Sequence, residues 1–264
     1  MIAFTLGFII PFVEGVYLSF CKFTTVNDAK FIGFANYAKV FADETFVHAF
    51  WYTAAFTVVS VILINVLAFA VALLLTKGFK GTNIFRTVFF MPNLIGGIVL
   101  GYIWQLLLNG ILMKFSRTLT YSSTYGFWGL IILMCWQQIG YMMIIYIAGI
   151  QNIPGELIEA AEIDGATKWQ ILKKVTIPMV MPSITVCTFL TLTNSFKLFD
   201  QNLALTNGEP SKMSEMLALN IFYTFYGRTG YEGVGQAKAV IFFILVTVIA
   251  LTQNYLTRRK EVQQ

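Results

Sequence analysis

Six stretches of this chain stay apolar for longer than a soluble strand or an ordinary amphipathic helix requires: Ile2 to Phe20, Phe50 to Leu75, Val88 to Leu108, Tyr125 to Ile150, Met179 to Phe199 and Ala239 to Tyr255. A helix needs about 20 predominantly apolar residues to cross the hydrocarbon layer of a bilayer. All six meet or approach that length. Hydrophobic residues make up 57% of the 264 positions and charged residues 12%, against roughly 45–50% and 25% in soluble domains. The expected fold is therefore an all-α polytopic membrane protein with about six transmembrane helices, forming one membrane domain over 1–264.

The first stretch is the weakest, because it carries Pro11 and Glu14 and begins without a basic lead. A secretory signal would need a basic n-region and a small-residue cleavage site, and neither is present. We read this helix as shortened at its start.

Orientation follows from Lys and Arg in the connections. Lys77, Lys80 and Arg86 crowd the second link, and Arg258, Arg259 and Lys260 follow the last span. Both segments are expected in the cytoplasm, which places Gln151 to Ile177 there as well. Cys21 to Ala49, Asn109 to Thr124 and Asp200 to Lys238 are then expected outside.

Several functions are disfavoured by the same sequence. Cys21, Cys135 and Cys187 are widely separated and show no disulfide or zinc spacing. The net charge of +5 is scattered through short connections, which disfavours a nucleic-acid surface. His48 stands alone, so neither a metal cluster nor a Ser-His-Asp arrangement is supported and no catalytic residue is assigned. A carboxylate in a span would raise the question of a proton relay, but Glu14 and Asp200 sit near span ends.

The inner link at 151–178 does not read as a passive loop. Pro154 and Glu156 suit a helix start, and Leu157, Ile158, Ala160 and Ala161 favour helix until Gly165 supplies a stop. A second helix is expected from Thr167 to Val175. Trp169, Ile171, Leu172 and Val175 gather on one side of it and Gln170, Lys173 and Lys174 on the other, with Lys168 interrupting the apolar arc. Pro178 and Pro182 mark the entry to the next span, where a missing amide is tolerated near a helix start or kink. An amphipathic helix lying on anionic lipid is the plainer alternative, but it accounts for neither the glycine stop nor the prolines.

Glu159-Ala160-Ala161, then Gly165, then Ile177-Pro178 resemble the EAA motif of binding-protein-dependent importer permeases. The resemblance implies a coupling surface, formed by Glu159, Ala160, Ala161, Asp164, Gly165, Lys168, Trp169 and Leu172, that sits in a cleft of a separate ATPase subunit. It extends along nearly the whole chain and is closest to the sugar-importer branch, including the maltose-permease F-like and glycerol-phosphate-permease A-like subunits. FIGFANYAKVF, FRTVFFMPNLIGGIVLGYIWQ and SFKLFDQNLALTNGEP carry it. Where that branch more often has Gly-Gly-Pro, this chain has Gly208-Glu209-Pro210.

The resemblance further implies a bacterial or archaeal cytoplasmic membrane and a homologous second permease subunit as heterodimer partner. It also implies two ATPase subunits, an extracytoplasmic solute-binding protein, and a sugar cargo. No G-x-x-x-x-G-K-[ST] loop occurs, since the cluster from Gly78 to Gly81 lacks the spacing. ATP and Mg are accordingly expected on the partner ATPases, with no cofactor in this chain.

Polar residues within spans are costly and usually face protein or a water-filled path. Asn65, Asn93, Gln105, Gln137, Gln138, Asn194 and Lys197 qualify. The fourth and fifth spans flank the EAA unit, and in the family they help line the pathway. Gln137, Gln138 and Tyr141 on one, with Thr193, Asn194 and Lys197 on the other, are the expected substrate contacts. For each, an interhelical hydrogen bond without substrate contact is the competing reading. A glycerol-phosphate or other small polar cargo, an ion-coupled secondary transporter, and a membrane enzyme or scaffold are the alternative functions.

Overall fold

A computed structural model describes residues 2–78 and 80–258. The architecture is helical and polytopic. Helix α1 (Ile2–Leu18) leads into a two-stranded antiparallel ladder, β1 (Cys21–Lys22) with β2 (Lys30–Phe31), in which Cys21 pairs with Phe31. Helix α2 (Ala35–Phe41) follows. The outer link expected from Cys21 to Ala49 is therefore structured, and strands interrupt the otherwise helical pattern.

Helix α3 (Glu44–Leu75) begins six residues before the expected Phe50. Asp43 caps it, accepting from the Thr45 amide at 3.0 Å, which satisfies a donor that the first turn leaves free. At 32 residues the helix is roughly 48 Å long and overshoots the apolar layer.

The expected third span does not form as one helix. It divides into α4 (Thr82–Phe90) and α5 (Gly97–Leu112), with a tight turn at Met91–Leu94 and extended backbone at Ile95 and Gly96 between them. Pro92 lacks the amide a continuous helix would use, and the glycines resist re-formation until Gly97. Helix α4 packs on α6 (Ser123–Gln151) so closely that a Cβ at Gly140 would run into the Phe89 carbonyl. Glycine is required there.

Helix α6 is the centre of the bundle. Of its most apolar window 67% is buried, against 28% for α3 and 11% for the α5 segment. Leu130, Leu133, Met142 and Tyr146 of α6 meet Phe56, Ile64 and Ala68 of α3, and Cys187 joins the same core. All three cysteines are unpaired.

Beyond α6 come α7 (Gly155–Ile163), α8 (Lys168–Met179) and α9 (Met181–Phe196), the last two bent by 69° at Val180 between Pro178 and Pro182. Helices α10 (Asp200–Leu205) and α11 (Leu217–Tyr226) pack near the amino-terminal ends of α5, α6 and α3, where Ala204 meets Gly101, Thr206 meets Gly126 and the Leu217 amide donates to Thr53, whereas α7 follows the carboxyl end of α6. Helix α12 (Glu232–Arg258) starts seven residues before the expected Ala239. Arg259 and Lys260, used for orientation, lie outside the described residues.

Among the described residues four helices are long and apolar enough to span a membrane, α5 counting with its extension to Phe115, and the bent α8–α9 pair is a fifth where it counts as one span; α1 is a shorter apolar helix. Ile62, Val66, Ile103 and Leu106 remain exposed on these spans. Such apolar surface suits lipid or another helix better than water.

Candidate substrate pathway and coupling surface

The break between α4 and α5 frees backbone groups that a membrane interior cannot hydrate. Gln137 answers one of them, donating from Nε2 to the Ile95 carbonyl at 3.3 Å. Its Oε1 accepts from Gln201 Nε2 at 2.8 Å, so one buried amide ties α6 to both the broken span and α10. Next to it, Gln138 Oε1 accepts from Asn194 Nδ2 on α9 at 3.3 Å.

The Gln138, Asn194 and Gln201 amides border a cavity of about 250 Å³, with Lys197 and Asp200 completing its polar lining. Three of the six residues expected from the sequence meet there: Gln138, Asn194 and Lys197. The other three do not line it. Gln137 is spent on Ile95 and Gln201, Tyr141 packs against Phe90 with ring centroids 6.4 Å apart, and the Thr193 hydroxyl returns to the Phe189 carbonyl at 2.9 Å.

Asp200 and Gln201 complete the lining and were not among the expected contacts. Their proximity depends on the chain turning back after Phe196, where the sequence showed the end of a span. A further signal is the polar run Asp200-Gln201-Asn202 beside an apolar helix.

Other polar span residues are structural. Asn65 accepts from the Tyr146 hydroxyl at 2.7 Å, and Gln105 donates to the Leu205 carbonyl at 3.1 Å. Both join neighbouring helices.

At the other end, α7 stops in a Schellman arrangement. The Ala166 amide reaches the Ala161 carbonyl at 2.9 Å and the Gly165 amide reaches the Glu162 carbonyl at 3.0 Å. Gly165 has φ +78°, the left-handed conformation this motif requires and glycine adopts without steric cost. Pro154 is the residue before the helix instead of part of its first turn. Thr167 then caps α8 through a capping box: the Gln170 amide donates to Thr167 Oγ1 at 3.3 Å, and Gln170 Oε1 accepts from the Thr167 amide at 2.7 Å. The expected second helix, Thr167 to Val175, continues through a π turn at Leu172–Thr176 as far as Met179.

Glu159, Ala160, Asp164, Gly165 and Lys168 are exposed, and Ala161 and Leu172 half-buried. Trp169 is 69% exposed whereas Ile171 is buried, so the two do not share the apolar side anticipated for this helix. Residues two apart on a helix lie about 200° apart and cannot share a face, and Trp169, like Ile163 at 85% exposed, is on the outer surface. Between α7 and α8 lies a concavity of about 300 Å³ bordered by Asp164, Gly165, Gln170 and Lys174. Two capped helices thus hold an exposed apolar pair and a charged rim at a fixed angle.

Known proteins resemble this one along nearly its whole length. The sequence is 43% identical over 264 residues to the probable starch degradation products transport system permease protein AmyD of Thermoanaerobacterium thermosulfurigenes, covering 97% of this chain and 90% of that protein. It is 29% identical to the multiple sugar-binding transport system permease protein MsmF of Streptococcus mutans, covering 97% and 91%. The fold is similar to a chain in the crystal structure of a bacterial ABC transporter involved in the import of the acidic polysaccharide alginate, with TM-score 0.83, 22% identity, and coverage of 98% and 92%. The profile of one family matches residues 64–262, taking in the broken span, the amide cavity and both capped helices. The chain belongs to the family of binding-protein-dependent transport system inner membrane components.

Proposed function

We propose that this chain forms half of the translocation pathway of an ATP-driven importer of sugars, with oligosaccharides as the cargo class. As a permease it is a transport component and not an enzyme. The observation that carries the cargo assignment is the amide-lined cavity at Gln138, Asn194 and Gln201. Neutral amides present donors and acceptors together, as a polyhydroxylated solute requires, and the relatives named for starch products and multiple sugars support the same class.

The other half of the pathway is a homologous second permease subunit. Of two ATPase subunits, which bind ATP and Mg, one docks on α7 and α8 of this chain, and an extracytoplasmic solute-binding protein delivers cargo at the α10–α11 end. The basic residues Lys77, Lys80, Arg86, Lys168, Lys173 and Lys174 favour the α7–α8 end as cytoplasmic. Closure of the ATPases would press on the exposed Ile163 and Trp169, and the capped turn at Gly165 would pass that displacement to α9 and Asn194.

The test is uptake of labelled maltotriose into proteoliposomes holding the assembled complex, with the binding protein outside and ATP inside. Uptake that needs both supports this function. Uptake sustained by an ion gradient without ATP overturns it, and uptake of glycerol phosphate instead of sugar would move the cargo to the class that Lys197 favours.

A further inference from the structure

We propose that the groove between α11 and α12 is a second sugar subsite, which stacks the ring faces of an oligosaccharide against aromatic side chains beside the amide cavity. The inference rests on the sugar-import reading above. The groove encloses about 410 Å³ and includes Phe199, Phe222, Phe225, Tyr226 and Gln236 in its lining. Phe199 also lines the amide cavity of about 250 Å³. The two spaces share that ring as a wall.

The rings form a fan instead of a closed stack. Phe199 and Phe222 have centroids 5.2 Å apart at 57°, and Phe222 and Tyr226 lie 5.0 Å apart at 46°. Tilted rings leave π faces open. Phe222 and Tyr226, four apart, share one side of α11 and are 37% and 73% exposed, while Leu217 and Leu219 of the same helix are fully buried. The exposure is confined to the aromatic side.

A pyranose ring has an apolar C–H face and a polar edge of hydroxyls. The aromatic fan suits the face. The half-buried Gln236 amide, which makes no side-chain hydrogen bond among the described residues, and the Tyr226 hydroxyl suit the edge. A second groove between α3 and α12 offers the contrast. There Phe41, Phe46, Val47, Phe50, Ile241 and Ile244 present hydrocarbon alone, which matches acyl chains. The aromatic groove instead combines an amide, a phenol and a wall shared with the polar pathway. Two adjoining spaces accommodate successive sugar units, so the groove should set preference for chain length.

The test compares the assembled transporter with its Phe222→Ala and Tyr226→Ala forms, using labelled glucose oligosaccharides of two and six units. The expected result is a fall of about fivefold in the ratio of long to short uptake, the size of one lost aromatic face, with the ratio recovered in Phe222→Tyr and partly recovered in Tyr226→Phe, which keeps the face and loses the hydroxyl. An unchanged ratio overturns the subsite. Reduced copurification of the second permease with the alanine forms, at an unchanged ratio, would instead assign the groove to a partner helix and also overturns it. If the unmodified transporter imports neither probe, the sugar reading fails and this subsite with it.

Discussion

Lys238 Nζ lies 2.7 Å from Asp43 Oδ2, joining α12 to the residue that caps α3 across 195 positions of sequence. The Lys238 side chain is fully buried, and its ammonium also donates to Asn220 Oδ1 and Thr224 Oγ1 on α11 at 2.8 Å each. Three helices therefore converge on one cation. Removing one partner of a buried ion pair leaves the other charge uncompensated, which costs about 3–5 kcal/mol.

Asp43→Ala is therefore expected to destabilise the protein by about 3 kcal/mol, reduced to the extent that the 20% exposed carboxylate is already hydrated. Asp43→Ala with Lys238→Met should recover most of that loss, because the double form buries no unpaired charge. Thermal unfolding in lipid nanodiscs measures both. Equal stability of the two forms would show that the ion pair does not hold this end of the bundle together.

Glu215, in the connection between α10 and α11, is 1% exposed, and both its carboxylate oxygens are buried, with the Asn220 amide near but no well-formed hydrogen bond among the described residues. Burial raises its pKa, and nearby Lys212, Lys238, the Asn220 amide and Arg228 only partly offset the shift. A carboxyl raised in the folded state favours folding below its unfolded value, about 4.3, and that contribution is lost as pH rises through the raised value. Glu215→Gln should thus flatten the decline in melting temperature on going from acid to neutral pH. A decline equal to that of the unmodified protein would show that Glu215 does not cause it.

Gln138→Ala and Asn194→Ala remove the two amides that bond across α6 and α9 beside the cavity. Each is expected to lower sugar uptake about tenfold, a loss of about 1.4 kcal/mol in pathway contacts, with ATP hydrolysis retained. Gln137→Ala should instead lower stability by about 1–3 kcal/mol, since it strands the Ile95 carbonyl and the Gln201 amide. Parallel uptake and melting measurements separate the two outcomes; the same pattern for Gln137 and Gln138 would contradict the division.

The membrane helices were legible because bilayer thickness writes itself into the sequence as runs of apolar residues. The stop at Gly165 was legible because a positive φ selects glycine. The break at Met91–Gly96 was less so, since Pro92 and Gly96 sit inside a run whose hydropathy alone satisfies a full crossing. Lys238 was read as the edge of an outer link because a lone cation shortens an apolar window. Its counter-charge is supplied by Asp43, which only the fold brings near. Gln201 escaped for a related reason: its bond to Gln137 depends on the turn that returns α10 to α6.

The central claim is that α7 and α8 transmit ATPase closure to the pathway through the turn at Gly165. The most direct measurement is Gly165→Val in the reconstituted transporter, recording sugar uptake and ATP hydrolysis in the same vesicles. A β-branched residue at φ +78° is strained by roughly 1–2 kcal/mol or more and should displace the angle between the two capped helices. The account predicts that sugar imported per ATP hydrolysed falls at least about tenfold while the assembled complex persists. An unchanged ratio of uptake to hydrolysis would contradict it.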